Sequence, residues 1–162
     1  MQPTDMYHVG IVVPRLEDGL AHFADLFGVR WAPVIEAPTS VRMADGSVAT
    51  VDLRLVYSID APHLELIEEV PESIWVLNPH SNIHHIGFWS GDLGGDWARL
   101  HGGGCPLEVM GDSGGSEPLL WTYHNDPLGV RIELVDEALR AVMQAGWDDA
   151  AAESREPDPT ST

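Results

Sequence analysis

The 162-residue chain carries 26 Asp and Glu against 8 basic residues, all of them arginine, for a net charge of −18. So acidic a chain has no means of gripping a phosphate backbone or an anionic membrane, and without lysine it has no Schiff-base chemistry. The single Cys105 excludes an internal disulfide and a multi-cysteine zinc site, and no apolar run approaches the ~20 residues of a membrane helix.

The first segment, Met6 to Val13 (MYHVGIVV), alternates around β-branched residues and predicts a strand that Pro14 stops. Leu16, Leu20, Phe23 and Leu26 then recur at helical spacing, with Gly28 as the helix end. The turn signal ADGS at Ala44 to Ser47 follows Val41 and precedes a strand-like run, Val48 to Tyr57; after a second turn at Asp60 to Pro62, HLELIEEV continues to Val70. The order is strand, helix, and three strands.

A connection with two prolines, PESIWVLNPHSN, separates this half from a second one. Ile83 to Ser90 (IHHIGFWS) predicts a strand, and Asp92 can cap a helix reaching Gly102 despite Gly94 and Gly95. Pro106 to Met110, Leu119 to Asn125 and Val130 to Val135 predict three more strands. Beyond Asp136, ALRAVMQAGW suits a short helix, and the polar, proline-bearing remainder suits a mobile acidic tail.

The repeated order is also a repeat of residues. YHVGIVV recurs as HHIGFWS, pairing His8 with His85, and HLELIE recurs as RIELVD, pairing Glu65 with Glu133. Both glutamates sit mid-strand between apolar neighbours, where a carboxylate must be paired, hydrogen-bonded or metal-bound. If the first and last strands of each half face one cleft, two His and two Glu converge as nitrogen and oxygen ligands for a divalent ion.

The doubled order, the openings HVGIVV and HHIGFWSGDL, and the closing stretches LELIEEVP and DPLGVRIELVD resemble the vicinal oxygen chelate superfamily over residues 6 to 136. The resemblance implies an α+β fold in which two βαβββ modules form a cup-shaped mixed sheet around a metal. The modules would be residues 1–70 and 84–136, with 71–83 as the connection and 137–162 as the helix and tail. It implies His8, Glu65, His85 and Glu133 as ligands of one divalent ion (Zn, Ni, Co, Mn or Fe). Glu65 and Glu133 would also act as bases on a substrate that chelates the ion through adjacent oxygens.

The expected function is a metal-dependent isomerase or lyase moving a proton α to a carbonyl. The full His, Glu, His, Glu set is most similar to glyoxalase I; epimerases of the superfamily commonly carry Gln where this chain has Glu65, and extradiol dioxygenases use two His and one Glu. A metal-free drug-sequestering protein and a single-domain iron dioxygenase are the alternatives. Small members of the superfamily are often homodimers, which is the expected assembly.

Around the site, Trp121, Tyr123, His124 and Arg54 are the candidate substrate-binding residues, while His84 is expected to point away from His85 in a structural role. Cys105 has no basic neighbour to activate it, and neither HGGGC nor GDSGGSEP has phosphate-loop spacing. MQPTDMYHVG lacks the features of a signal peptide, and arginine without lysine suggests a GC-rich genome; a cytoplasmic bacterial protein is the expectation.

Overall fold

The computed structural model describes residues 1–112, 114 and 120–154. In chain order the elements are β1 (Met6–Val13), α1 (Leu16–Phe27), β2 (Ile35–Met43), β3 (Val48–Tyr57), β4 (His63–Glu68), β5 (Ile83–Ser90), α2 (Leu93–Gly102), β6 (Leu107–Gly111), β7 (Trp121–Asn125), β8 (Arg131–Asp136) and α3 (Arg140–Glu153). Short 3-10 turns at Pro3–Asp5 and Glu137–Leu139 lead into β1 and α3. The mixed sheet closes into a barrel in the order β1-β4-β3-β2-β6-β7-β8-β5.

Each half supplies four adjacent strands, with β1 parallel to β4 and β5 parallel to β8. The halves meet along two antiparallel seams, β1 with β5 and β2 with β6. The second seam is short, pairing Val41 with Gly111, Arg42 with Met110 and Met43 with Val109. It turns the expected cup into a closed barrel. Strand β2 extends well upstream of Val41, the part its sequence signalled. Pro38 and the exposed residues around it break the apolar alternation by which a strand is read.

Strand alternation sorts the side chains. Inside, Val12, Val41, Leu53, Ile67, Val109 and Tyr123 pack with Trp75 of the connection. Outside, Val13, Val56 and Leu66 pack against Leu16 of α1, and Leu134 packs with Cys105 against Leu93 and Leu100 of α2. Helix α1 has no side-chain cap of its own at Arg15; Glu68, at the end of β4, accepts from the Leu16 N–H at 2.8 Å in its place. Gly28 ends α1 in the left-handed region at φ 67°, donating its N–H to Ala24. Asp92 caps α2 by accepting from Gly95 N–H at 3.0 Å, which offsets the two glycines of its first turn.

The C-terminal helix differs from expectation. It runs six residues past Trp147, to Glu153, and Trp147 is buried. Its indole stacks on His63 with centroids 3.8 Å apart and packs with Tyr7, Tyr57, Trp89 and Val135. The helix therefore seals part of the barrel. Of the expected mobile tail, residues 148–162, the part as far as Glu153 is helical and residues 155–162 lie outside the described residues. Replacing Trp147 with alanine is expected to lower unfolding stability by about 3 kcal/mol in urea titrations, the usual loss for a large buried aromatic, whereas Trp147→Phe should retain most of it.

Candidate metal centre

The four repeat-related residues meet at the β1–β5 seam, and glycine makes that possible. In the ladder, His8 pairs with Gly87 and Gly10 with His85. Across the parallel pairs, Gly10 faces Glu65 and Gly87 faces Glu133. Each row thus reads carboxylate, glycine, imidazole over three neighbouring strands. A Cβ on Gly10 would fall onto the His85 ring, and one on Gly87 onto the His8 ring. The motif His-x-Gly occurs in both halves because each glycine makes room for the other half's histidine.

His8, Glu65, His85 and Glu133 are all buried, and one ligand atom from each lies within 4.8 Å of all the others. His8 Nε2 and His85 Nε2 approach to 2.7 Å. Glu133 Oε2 is 3.1 Å from His8 Nε2, and Glu65 Oε2 is 3.1 Å from His85 Nε2. The crossed distances, His8 to Glu65 and His85 to Glu133, are 3.5 and 3.4 Å. Yet neither carboxylate Oε2 has a hydrogen bond of acceptable geometry. Two imidazole nitrogens and two otherwise unsatisfied oxygens converging on one point are a donor set with the composition and spacing for a divalent cation.

The electrostatics agree with that geometry. Burial pulls the His85 imidazole down, but the Glu133 charge and the contacts to both carboxylates outweigh it and push it up to about 9. His8 is likewise raised, Glu133 and Glu65 outweighing its burial. Burial pushes both carboxyls up, and the imidazoles overcome it to hold Glu65 well below, and Glu133 below, the ordinary carboxylate range. The cluster demands positive charge, from protons or from a metal.

His84 has a larger part than its strand position suggested. Its Nε2 lies 2.9 Å from the carbonyl oxygen of Ile74, which can only accept, so Nε2 carries a proton. Burial, then the charges of Arg131 and His85, lower its pKa to about 3, so the ring is neutral and Nδ1 is an acceptor. That nitrogen is 3.0 Å from His85 Nδ1, which donates to it. The relay turns His85 Nε2 toward the cluster. The dipeptide His84-His85 was the sequence signal, but strand alternation alone places the two rings apart.

Glu65 and Glu133 also border an interior cavity of about 100 Å³ lined by Leu53, Leu55, Tyr57, Ile67, Trp75, Trp121 and Tyr123. Trp121 and Tyr123 therefore face the cavity beside the two carboxylates. His124 and Arg54 do not, because each sits one residue out of phase with the inward face. His124 packs outside, 3.2 Å from the Cys105 carbonyl and 3.0 Å from Thr122 Oγ1. Arg54 lies under α1, bridging Glu17 and Glu68 at 2.8 Å and Glu36 at 3.2 Å. Tyr57, beside the carboxylates, was missed by sequence reading; it and Tyr123 are held as neutral phenols, first by burial and then by the Glu65 and Glu133 charges.

The family model for the glyoxalase/bleomycin resistance protein/dioxygenase superfamily matches residues 7–117, which includes three of the four cluster residues. No curated protein matches the sequence. Among solved structures, the methylmalonyl-CoA epimerase of Streptomyces coelicolor, in complex with 2-nitronate-propionyl-CoA, superposes with a TM-score of 0.57 at 19% identity, covering 82% of this chain and 96% of that one. The Mycobacterium tuberculosis methylmalonyl-CoA epimerase gives 0.52 at 19% identity, covering 86% and 92%. A hypothetical protein from Bacillus halodurans gives 0.58 at 16% identity, covering 81% and 92%.

Two measurements follow from this geometry. His84→Ala is expected to weaken divalent-metal binding by about 10- to 100-fold in calorimetric titration, since second-sphere partners of ligating histidines carry effects of that size. In metal-free protein, the stabilisation from His85 is complete below its unfolded pKa of 6.5 and is lost as pH rises through about 9. Thermal midpoints should fall across that window. They should also fall on acidification below about pH 4.5, as Glu65 and Glu133 lose theirs.

Proposed function

Because the chain belongs to the glyoxalase/bleomycin resistance protein/dioxygenase superfamily, we propose that it is a metal-dependent isomerase or lyase that moves a proton on the carbon α to a carbonyl. Its substrate would chelate the ion through two adjacent oxygens. The observation that carries this reading is the convergence of His8, Glu65, His85 and Glu133, with both carboxylate Oε2 atoms unsatisfied. A divalent ion held by these residues would supply Lewis-acid stabilisation of the negative charge that develops beside a carbonyl when the α-proton leaves.

The chain's own groups provide the rest. Glu65 on β4 and Glu133 on β8 both line the cavity, and both are held as carboxylates, the form that accepts a proton. Coming from different halves, they offer bases on two sides of a bound substrate, so one can take the proton and the other return it. The neutral phenols of Tyr57 and Tyr123 can donate to substrate oxygens. The apolar walls exclude water, which strengthens every electrostatic contact within. That two of these structural relatives are methylmalonyl-CoA epimerases supports proton transfer as the reaction class.

Solvent deuterium incorporation tests the reading. Metal-loaded protein in D2O is expected to label the α-carbon of at least one member of a panel of 2-hydroxyacyl and 2-methylacyl thioesters, hemithioacetals and α-hydroxy ketones. Glu133→Gln and Glu65→Gln should each lower the exchange rate by about 10²- to 10³-fold, the range for a lost general base. No labelling by any panel member with metal bound would overturn it. Oxygen uptake with ferrous iron would favour a dioxygenase, and an unchanged melting temperature on adding divalent metals a metal-free binding protein.

A further inference from the structure

We infer that, beyond its two chelating oxygens, the substrate carries a compact, uncharged, apolar group that the barrel interior receives against Tyr57, Trp75, Trp121 and Tyr123. The inference rests on the metal-centred reading above and specifies its substrate class.

Size is the first constraint. The cavity beside Glu65 and Glu133 measures about 100 Å³. An apolar cavity of about 150 Å³ is enough to admit benzene, so this one suits a small branched alkyl group better than a ring. Its walls are set by rigid elements: Leu53, Leu55 and Tyr57 from β3, Ile67 from β4, and Trp121 and Tyr123 from β7. Trp75, from the connection, is buried within the same interior cluster.

Charge is the second. The only ionised side chains on the cavity wall are the two carboxylates. Every arginine among the described residues lies within ion-pair distance of an acidic group elsewhere: Arg15 with Asp18, Arg30 with Asp60, Arg42 with Asp112, Arg54 with Glu17, Arg99 with Asp96, Arg131 with Glu108 and Arg140 with Glu137. The chain has no lysine. A carboxylate or phosphate on the arm inside the cavity would face two anions in an apolar enclosure, with only the ion those anions already share to offset it. A cationic arm would be drawn to the carboxylates and compete with the metal for them. An uncharged arm has neither penalty.

One neighbouring space offers a contrast. A hollow of about 470 Å³, bordered by Tyr7, His8, His63, Trp147 and Arg140, lies under α3. An anionic arm would have to lie there, against Arg140, and not in the cavity.

The test uses a series of hydroxamates, which share one chelating head of vicinal oxygens, titrated calorimetrically into zinc-loaded full-length protein. Isobutyrohydroxamate is expected to bind about tenfold more tightly than acetohydroxamate, from the burial of two further carbons. 4-Carboxybenzohydroxamate should bind at least tenfold more weakly than benzohydroxamate. Trp121→Ala, or Leu55→Ala should the former not fold, should shift preference from isobutyro- toward benzohydroxamate. The inference is overturned if the carboxylated compound binds as tightly as the uncharged one, or if enlarging the wall leaves the order unchanged. Weakening of isobutyrohydroxamate by Arg140→Ala would place the uncharged arm in the outer hollow, also overturning it. A separate zinc titration reads the premise: if zinc itself does not bind, the metal-centred function fails, and the cavity assignment with it.

Discussion

Two carboxylates cannot lie side by side in a protein interior unless positive charge lies between them. Glu65 and Glu133 do so here, and the barrel places no arginine near them. Among the described residues, the imidazoles of His8 and His85 are the basic side chains in contact with them, and their nitrogens are 2.7 Å apart. With both imidazoles neutral the cluster is left with two uncompensated anions. Protonating both offsets those charges but crowds two cations against each other. A single dication at the point of convergence satisfies all four groups at once, which is why the arrangement reads as a ligand set and not as a buried ion-pair network. The histidine partners, the glycines beneath them and the sealed barrel all serve that point.

The seam between the halves follows from this demand. Within each row the carboxylate and the imidazole stand two strands apart and must reach over the residue between them. Gly10 and Gly87 occupy those middle positions, and each clears the path for one carboxylate and one imidazole. Because β1 and β5 run antiparallel, one local sequence, His-x-Gly, used twice, builds both rows. The doubled chain is thus a two-fold device. A second seam, β2 with β6, closes the barrel on the side opposite the β1–β5 seam.

Much of this was legible in the sequence because it repeats. Recurrence of His8 as His85 and of Glu65 as Glu133 singled out four residues among eight histidines and 26 acids, and the two βαβββ patterns specified the fold. What failed to show was whatever depends on side-chain phase or on contact between distant segments. Trp121, Tyr123, His124 and Arg54 were grouped as polar and aromatic residues of strands expected to border the cup, but a period of two sends the last two outward. His84 could not be connected to His85 without knowing that the Ile74 carbonyl would lie beside it and fix its proton. Glu68 and Glu69, close enough in sequence to be confused with Glu65, have their own partners: Glu68 accepts from Leu16 and Arg54, and Glu69 from the Leu77 N–H. Trp147 carried no repeat partner, so nothing local marked it as part of the barrel's seal.

The strong negative charge divides into two parts with different consequences. On the outside, carboxylates outnumber arginines so heavily that every described arginine is engaged. On the inside, only the cluster carboxylates border the cavity. A protein that recognised an anionic substrate arm would need at least one uncommitted guanidinium or ammonium at its site, and among the described residues no arginine is uncommitted. The epimerase structures share the fold at 19% identity. That level of likeness specifies the barrel and leaves the lining of its cavity to each chain. In this one the lining is aliphatic and aromatic up to the edge of the ligand set, so discrimination between substrates falls to shape and to the absence of charge. Recognition through charge is confined to the ion and the two oxygens that would chelate it.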